Sequence, residues 1–326
     1  MADSNPSSVT TQSGMSQPPE VDDQLPKTSA EYSDTISIYT GSLSADARKY
    51  PEENGRRYHA YQEGRYLLPN DEKENDRLDI HHALFMTVMD NNLFLAPLKD
   101  PKSALDLCTG SGIWAVEFGK VTGAQNRYVP ELRSDWQRPK SNATIAFIVD
   151  DVESDWVYED TPFDFIHARY LAEAIRDMPR LIKQAFNCVK PGGWVEFQDW
   201  DTHPYSVDNS HQGTAIRYFF DVVLEAFAKQ GYITNPGGNL ERLLKESGFI
   251  NVHVKKYRVP LGTWAKGEKN KLVGAYNILQ FDEAIEGGAM AVLTRHEKWK
   301  PEEVQVLVAK ARADARRPDI HMLFDM

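Results

Sequence analysis

The chain has 326 residues, a formal net charge of -11 and 41% hydrophobic residues, the profile of an acidic globular protein long enough to bury a sizeable core. Such a charge repels nucleic-acid phosphates, and the short basic runs Arg56-Arg57 and Lys255-Lys256 read as solvated surface, so no direct nucleic-acid partner is expected. No apolar run approaches the roughly 20 residues of a membrane span, no secretion signal opens the chain, and Cys108 and Cys188 fall in predicted core elements, so the expected setting is cytoplasmic or nuclear, without a membrane.

Residues 1 to 54 are rich in Ser, Thr, Pro and acids and lack apolar periodicity, which predicts a disordered tail before a single domain over 55–326. Tyr58, Tyr61, Tyr66, Leu67 and Leu68 then lead through Pro69-Asn70-Asp71 into a helical pattern from Glu72 to Met89. There Leu78, His81, Leu84, Phe85 and Val88 recur at three-to-four spacing, and Asn70 or Asp71 is placed to cap the helix.

Ala104 to Trp114, ALDLCTGSGIW, follows as a buried strand, a glycine-rich turn and the start of a helix. Gly110 and Gly112 let the backbone approach a ligand closely and let the helix pack on the strand. Alone, such a turn fits a dinucleotide, a phosphate or S-adenosylmethionine. It is not a P-loop, since no Gly-Lys-Ser/Thr follows, and Ser111 lacks the spacing of a nucleophile elbow. Asp106, inside the strand, is expected to contact a ligand amine or the loop N–H groups, because an unpaired buried carboxylate is costly.

The next strand, Arg127 to Pro130, is a poor one, since Pro130 cannot donate to a ladder. Glu131 stands 19 residues after Gly112, close to the offset of about 20 expected for an acid that accepts from ribose hydroxyls. Thr144 to Val149 is a clearer strand, ending in Asp150-Asp151. There Asp151 is placed to accept an adenine amine, with the Val152 amide beside it; capping the following turn is the alternative use of the same carboxylate.

Phe163 to His167 is another strand, Leu171 to Cys188 a helix, and Gly193 to Gln198 a strand after the turn Lys190-Pro191-Gly192. This alternation predicts an α/β fold with a doubly wound, mostly parallel sheet, whose ligands sit beyond the carboxyl ends of the strands. His167 is placed either to line the cofactor pocket or to sit as a satisfied core histidine. From Asp199 onward the chain is helix-rich, over Thr214–Lys229, Leu240–Ser247, Lys271–Glu286 and Pro301–Ala315, with Asn251–Val254 as a late strand. Residues 200–300 read as an aromatic-rich substrate cap. His81-His82 face apart on a helix and no cysteines sit at ligand spacing, so no metal is expected.

In this order the pieces resemble the class I S-adenosylmethionine-dependent methyltransferases. LDLCTGSG is similar to their first motif, with Cys108 where many members have glycine. VDDVESDW, FDFIHARY and KPGGWVEFQD are similar to the third-strand, fourth-strand and fifth-strand motifs. NGRRYHAYQEGRYLLPNDEKENDRLDIHH, followed by FLAPL, resembles the leading segment of the fungal LaeA-like group, which includes regulators of secondary metabolism. The resemblance spans about residues 54 to 322.

It implies S-adenosyl-L-methionine as cofactor, with Asp106, Thr109, Gly110 and Gly112 at its methionine and ribose part, Glu131 at the ribose hydroxyls, Asp151-Val152 at the adenine and His167 in the pocket. The implied acceptor is a small secondary metabolite or a protein, with regulatory protein partners. The resemblance names no base; Tyr58, Tyr61, His167, Asp199 and His203 are the polar groups expected on the acceptor side, with His167 and His203 the base candidates. Two departures carry expectations. NRYVPEL weakens the ribose site, and RPDIHMLFDM stops where the family runs into a final antiparallel strand, which predicts an open edge and lower stability or cofactor affinity. Both, together with the expected disordered tail, favour a rival reading, a non-catalytic module of the same fold that acts through partners.

Overall fold

The computed structural model describes residues 50–58, 64–123 and 151–326, together with the backbone of 125–129 and 145–147. Glu131, Tyr61, Asp150 and nearly all of the expected N-terminal tail lie outside the described residues. Strands β1 (Glu52–Glu53) and β2 (Arg56–Arg57) form a hairpin. Its Asn54-Gly55 turn has φ of 51° and 74°, left-handed values that Asn and Gly tolerate and a two-residue hairpin turn demands. Helix α1 (Glu72–Val88) follows, and the Asp71 carboxylate caps it by accepting from the Glu74 N–H.

The remaining elements are β3 (Ser103–Leu107), α2 (Ile113–Thr122), β4 (Gln125–Val129), β5 (Ile145–Phe147), β6 (Phe163–Arg169), α3 (Met178–Cys188), β7 (Val189–Gln198), β8 (Asp201–Tyr205), α4 (Ala215–Lys229), α5 (Leu240–Ser247), β9 (Arg258–Pro260), α6 (Glu268–Arg295), α7 (Pro301–Ala315) and β10 (Leu323–Asp325). The main sheet has the order β5-β4-β3-β6-β7, and every pair in it is parallel. This is the doubly wound α/β architecture that the alternating pattern predicts. The order reverses between β3 and β6, which is where such sheets open a crevice for ligands. A second sheet, β8-β10-β9, is antiparallel, and the largest apolar cluster joins α1 to α4, α6 and α7.

Several sequence expectations need correction. The poor second strand forms in full: β4 pairs with β3 from Ser103↔Gln125 to Leu107↔Val129. The ladder ends at Val129, and Pro130 lies outside the described residues. The helix expected from Leu171 starts only at Met178, because Asp177 caps it by accepting from the Arg180 N–H at 3.0 Å and Pro179 takes the first turn. Ahead of that cap, Tyr170 and Glu173 hold φ of 60° and 59°.

Asn251–Val254 forms no strand; the edge strand is β9, a few residues later. Helix α6 runs 28 residues, through Gly287-Gly288. Gly287 permits contact there, since a Cβ would stand 2.7 Å from Arg56 Nη1 and 3.0 Å from the Pro69 Cγ. Finally, the last residues do form a strand, but in the second sheet: β10 lies antiparallel between β8 and β9, with Leu323 1% exposed. In the main sheet β7 pairs only with β6, so among the described residues the edge beside this fifth-strand segment stays open, as expected.

Candidate active site

The first cavity lies at the carboxyl ends of β3 and β6, under α1, and has a volume of about 100 Å³. Its floor is the turn after β3, where Cys108, Gly110 and Gly112 take φ of 51°, 54° and 78°. Repeated left-handed residues fold the backbone tightly under the cavity. Glycine adopts this conformation freely, whereas Cys108 is held in it at a strain of roughly 1 kcal/mol or more. No side chain caps α2. Ser111 instead donates to Asp79 of α1 at 2.6 Å, and His82 meets Glu117 of α2 at 3.1 Å, so α1 is fastened across the loop.

Asp106 and His167 are register partners on adjacent strands, which sets their side chains next to each other. Both are buried, at 2% and 0% exposure, and His167 Nδ1 lies 2.7 Å from Asp106 Oδ1. The other carboxylate oxygen accepts from the Thr109 hydroxyl. Asp106 therefore finds its partners in a neighbouring strand and in a loop side chain, where loop N–H groups or a ligand amine were expected. An ionised carboxylate only accepts, so Nδ1 carries the His167 proton and Nε2 is the acceptor. Among the described residues Nε2 has no hydrogen-bond partner. The ring stacks on Trp114 at 3.6 Å and 2°, which fixes its plane.

Of the residues expected at the cofactor, Asp106, Thr109, Gly110 and His167 line this cavity, while Gly112 is the N-cap of α2 behind it. Asp151 accepts from Arg65 at 3.0 Å, from the Glu153 N–H at 2.9 Å and from the Ser154 hydroxyl at 3.0 Å. That is the turn-capping use named for it above, with an ion pair added. Val152 is buried, and its carbonyl accepts from Trp156. Of the acceptor-side candidates, His203 sits exposed on β8 beside Asp201 at 3.3 Å and lines neither cavity. Tyr58 is buried under Arg295.

A second cavity, of about 130 Å³, adjoins the first. Pro69, Glu74, Arg77, His81 and Tyr170 line both and form the wall between them. Beyond that wall the lining is aromatic: Trp200, Phe219, Phe220, Phe227, Phe281 and Phe324. At its polar end stands Glu173. Burial, and then the nearby Asp199 carboxylate, push the Glu173 carboxyl up to about 8. Asp199 is itself raised to about 7 by burial, although the Leu171 and Trp200 N–H groups donate to it at 2.7 and 2.9 Å.

In the shared wall, burial alone would lower the Arg77 guanidinium, but Glu74, bound at 2.6 Å, raises it instead. His81 is held well below its ordinary value by burial and by Arg77 and Arg169, so it is neutral, and its Nε2 accepts from Trp200 Nε1 at 2.9 Å. Arg169, at the end of β6, drops to about 10 through burial. It stands 3.0 Å from His82, donates to Gln198 at 2.7 Å and lies 4.7 Å over the Phe85 ring.

Sequence reasoning missed Glu173, Arg77 and Arg169. Glu173 was absorbed into a predicted helix, and Arg77 reads as a solvated helix charge; only the turn of α1 over the sheet makes either one internal. The FDFIHARY match extends through Arg169, and a charged residue closing an apolar strand was the available signal for it.

A profile of the methyltransferase domain matches residues 80–254. A methyltransferase of Aspergillus terreus, pytC, is 39% identical over 295 residues, covering 90% of this chain and 90% of that protein. The protein-methionine methyltransferase laeA of Emericella nidulans is 30% identical over 288 residues, covering 86% of this chain and 75% of that protein. Among solved structures, the Haemonchus contortus phosphoethanolamine N-methyltransferase 2 with S-adenosyl-L-methionine matches at a TM-score of 0.41 and 18% identity, over 77% of this chain and 51% of that one.

Proposed function

The chain belongs to the S-adenosylmethionine-dependent methyltransferases, in their LaeA-like group, and from that premise we propose that it methylates a small secondary metabolite, with the donor in the first cavity and the acceptor in the second. The observation that carries this reading is the pair of cavities meeting at one wall, at the point where the sheet order reverses. The lining fits the donor. Asn75 Nδ2 and His167 Nε2 are buried there without a hydrogen-bond partner among the described residues, one a donor and one an acceptor, as a ligand bearing a carboxylate, an ammonium and hydroxyls would use. The left-handed loop leaves no side chain of Gly110 in the way.

S-adenosylmethionine supplies a methyl group on a sulfonium, ready for in-line displacement. The chain's own work is to bind, orient and exclude water. Asp106, Thr109 and His167 form a rigid polar floor, Trp114 fixes the His167 ring, and α1 closes over the top. Glu131, Asp151 and Val152 are the proposed ribose and adenine contacts. Holding two reactants about 3 Å apart in line supplies much of the rate in such a transfer.

Calorimetric titration with S-adenosylmethionine tests the reading, and absence of binding would sink it. Incubation with labelled cofactor and cell extract, followed by mass spectrometry of the labelled product, then identifies the acceptor. Protein methylation and a regulatory role are the second reading, favoured by the 30% identity to a protein-methionine methyltransferase and to the secondary metabolism regulator laeA of Aspergillus fumigatus. The non-catalytic alternative rests on the altered second strand, the chain's end and the N-terminal tail; the formation of β4 and β10 speaks against it in part, while the ending of the second strand and the tail lie outside the described residues. No described helix is long and apolar enough to cross a membrane; cytoplasmic or nuclear residence and regulatory partners belong to this proposal.

A further inference from the structure

The second cavity has an apolar body and one polar end, and the residue at that end is placed unusually. Glu173 is 9% exposed, and its Oε1 has no hydrogen-bond partner among the described residues. Its backbone is held at φ 59°, with Tyr170 at 60° three residues earlier. Left-handed conformations at two bulky side chains so close together are strained, and strain of this kind gathers where a side chain must be aimed. The Glu173 N–H donates to the Ile233 carbonyl at 2.9 Å, and that contact helps to hold the turn.

We propose that the second cavity takes a small, ring-bearing, largely apolar molecule with one weakly acidic hydroxyl, a phenol or an enol, and that Glu173 removes the hydroxyl proton as the methyl group is transferred. This rests on the methyltransferase reading above and names the acceptor class and the base within it. Rings suit the aromatic body of the cavity.

The step balances. The acceptor O–H bond breaks and its proton goes to the Glu173 carboxylate. The freed oxygen pair forms the new O–C bond, and the S–C bond of the methyl sulfonium donor breaks with its pair returning to sulfur. Carboxylate and sulfonium become carboxylic acid and thioether, so no further reactant is needed.

The groups facing Glu173 are Asp199 from the end of β7, Arg77 from α1, the Tyr170 hydroxyl from its own loop and the Thr202 hydroxyl from β8. From α4 and α6 the cavity receives apolar side chains with Asn277 and Gln280, none of which titrates. With its carboxyl raised to about 8, Glu173 is a stronger base than an ordinary carboxylate and is half ionised near that pH.

The test uses 2-naphthol, 2-methoxynaphthalene, which has no proton to give, and naphthalene-2-thiol, which ionises without help. Binding is measured first, without cofactor, by fluorescence on the full chain. Wild type should prefer 2-naphthol over its methyl ether by about tenfold near pH 8.5, less at pH 6.5, and Glu173→Gln should abolish the preference. Methyl transfer from labelled S-adenosylmethionine comes second. With 2-naphthol, kcat/KM should rise with pH, pass half its maximum near pH 8 and level off about one unit above, and Glu173→Gln should lower it about 100-fold or more while lowering transfer to the thiol only a few-fold.

Calorimetry with S-adenosylmethionine shows that each variant is folded and loaded. Equal losses on both probes, an unchanged binding preference in Glu173→Gln, or cofactor binding with neither probe methylated overturns the inference. Label recovered on a methionine of the chain itself, at a rate that Glu173→Gln leaves unchanged, also overturns it, since a thioether needs no base. Failure of the wild type to bind S-adenosylmethionine overturns the methyltransferase reading instead.

Discussion

Asp106 shares its two carboxylate oxygens between His167 and the Thr109 hydroxyl in a site with almost no solvent. A buried carboxylate that loses one of two partners keeps its full desolvation penalty, so His167→Ala should destabilise the fold by about 2–3 kcal/mol, read as a lower urea midpoint with an unchanged slope. Gly110 is a different case. Its φ of 54° is one that Asp tolerates, and the nearest obstacle to a Cβ is the flexible Leu78 Cδ1 at 3.0 Å. Gly110→Asp should therefore fold, keeping its circular dichroism, yet put an uncompensated carboxylate into the donor cavity. S-adenosylmethionine affinity measured by calorimetry should drop roughly 100-fold or more.

Among the elements, α6 and β10 are the ones whose placement the site depends on. Helix α6 passes so close to the loop after β9 that a Cβ on Gly274 would stand 1.9 Å from the Gly262 carbonyl oxygen, and the Gly262 N–H donates to the Gly274 carbonyl at 3.1 Å. Neither backbone can yield without losing that bond, so Gly274→Ala should destabilise by about 1–3 kcal/mol, visible as a lower midpoint in thermal unfolding. Strand β10 closes the second sheet and delivers Phe324 to the acceptor cavity. Leu323, on the other face of that strand, packs with Trp264 and Ala265. Leu323→Ala should cost about 2–4 kcal/mol, whereas Phe324→Ala should also widen the cavity and weaken 2-naphthol binding.

For the whole molecule, two buried acids with raised values tie stability to pH. Glu173 is about 8 in the folded chain against 4.5 for an ordinary glutamate, and Asp199 about 7 against 3.8. Between those limits the unfolded chain gives up protons that the folded chain keeps. The contribution of these acids is therefore most favourable below about pH 4, falls as pH rises toward 8, and is constant above. Glu173→Gln removes one of these terms. Its melting temperature relative to wild type should rise steadily from pH 5 to pH 8, by an amount worth on the order of a few kcal/mol, and a gap independent of pH would contradict the raised value.

The sequence by itself determined the α/β class, the glycine turn, the capped α1 and the family, because periodicity, caps and left-handed turns are local properties that each segment carries alone. Asp71 caps α1 and Gly112 caps α2 for reasons legible within a few residues of each. Only the tertiary structure decided that β4 and β10 form, since a weak strand such as Gln125–Val129 is stabilised by the neighbours that pair with it on both sides. The same holds for the acceptor cavity. Glu173 and Asp199 are ordinary acids in the sequence, and they become a raised pair only when β7, α1, α4 and α6 exclude water from around them, because burial is a property of the assembled chain and not of any segment in it.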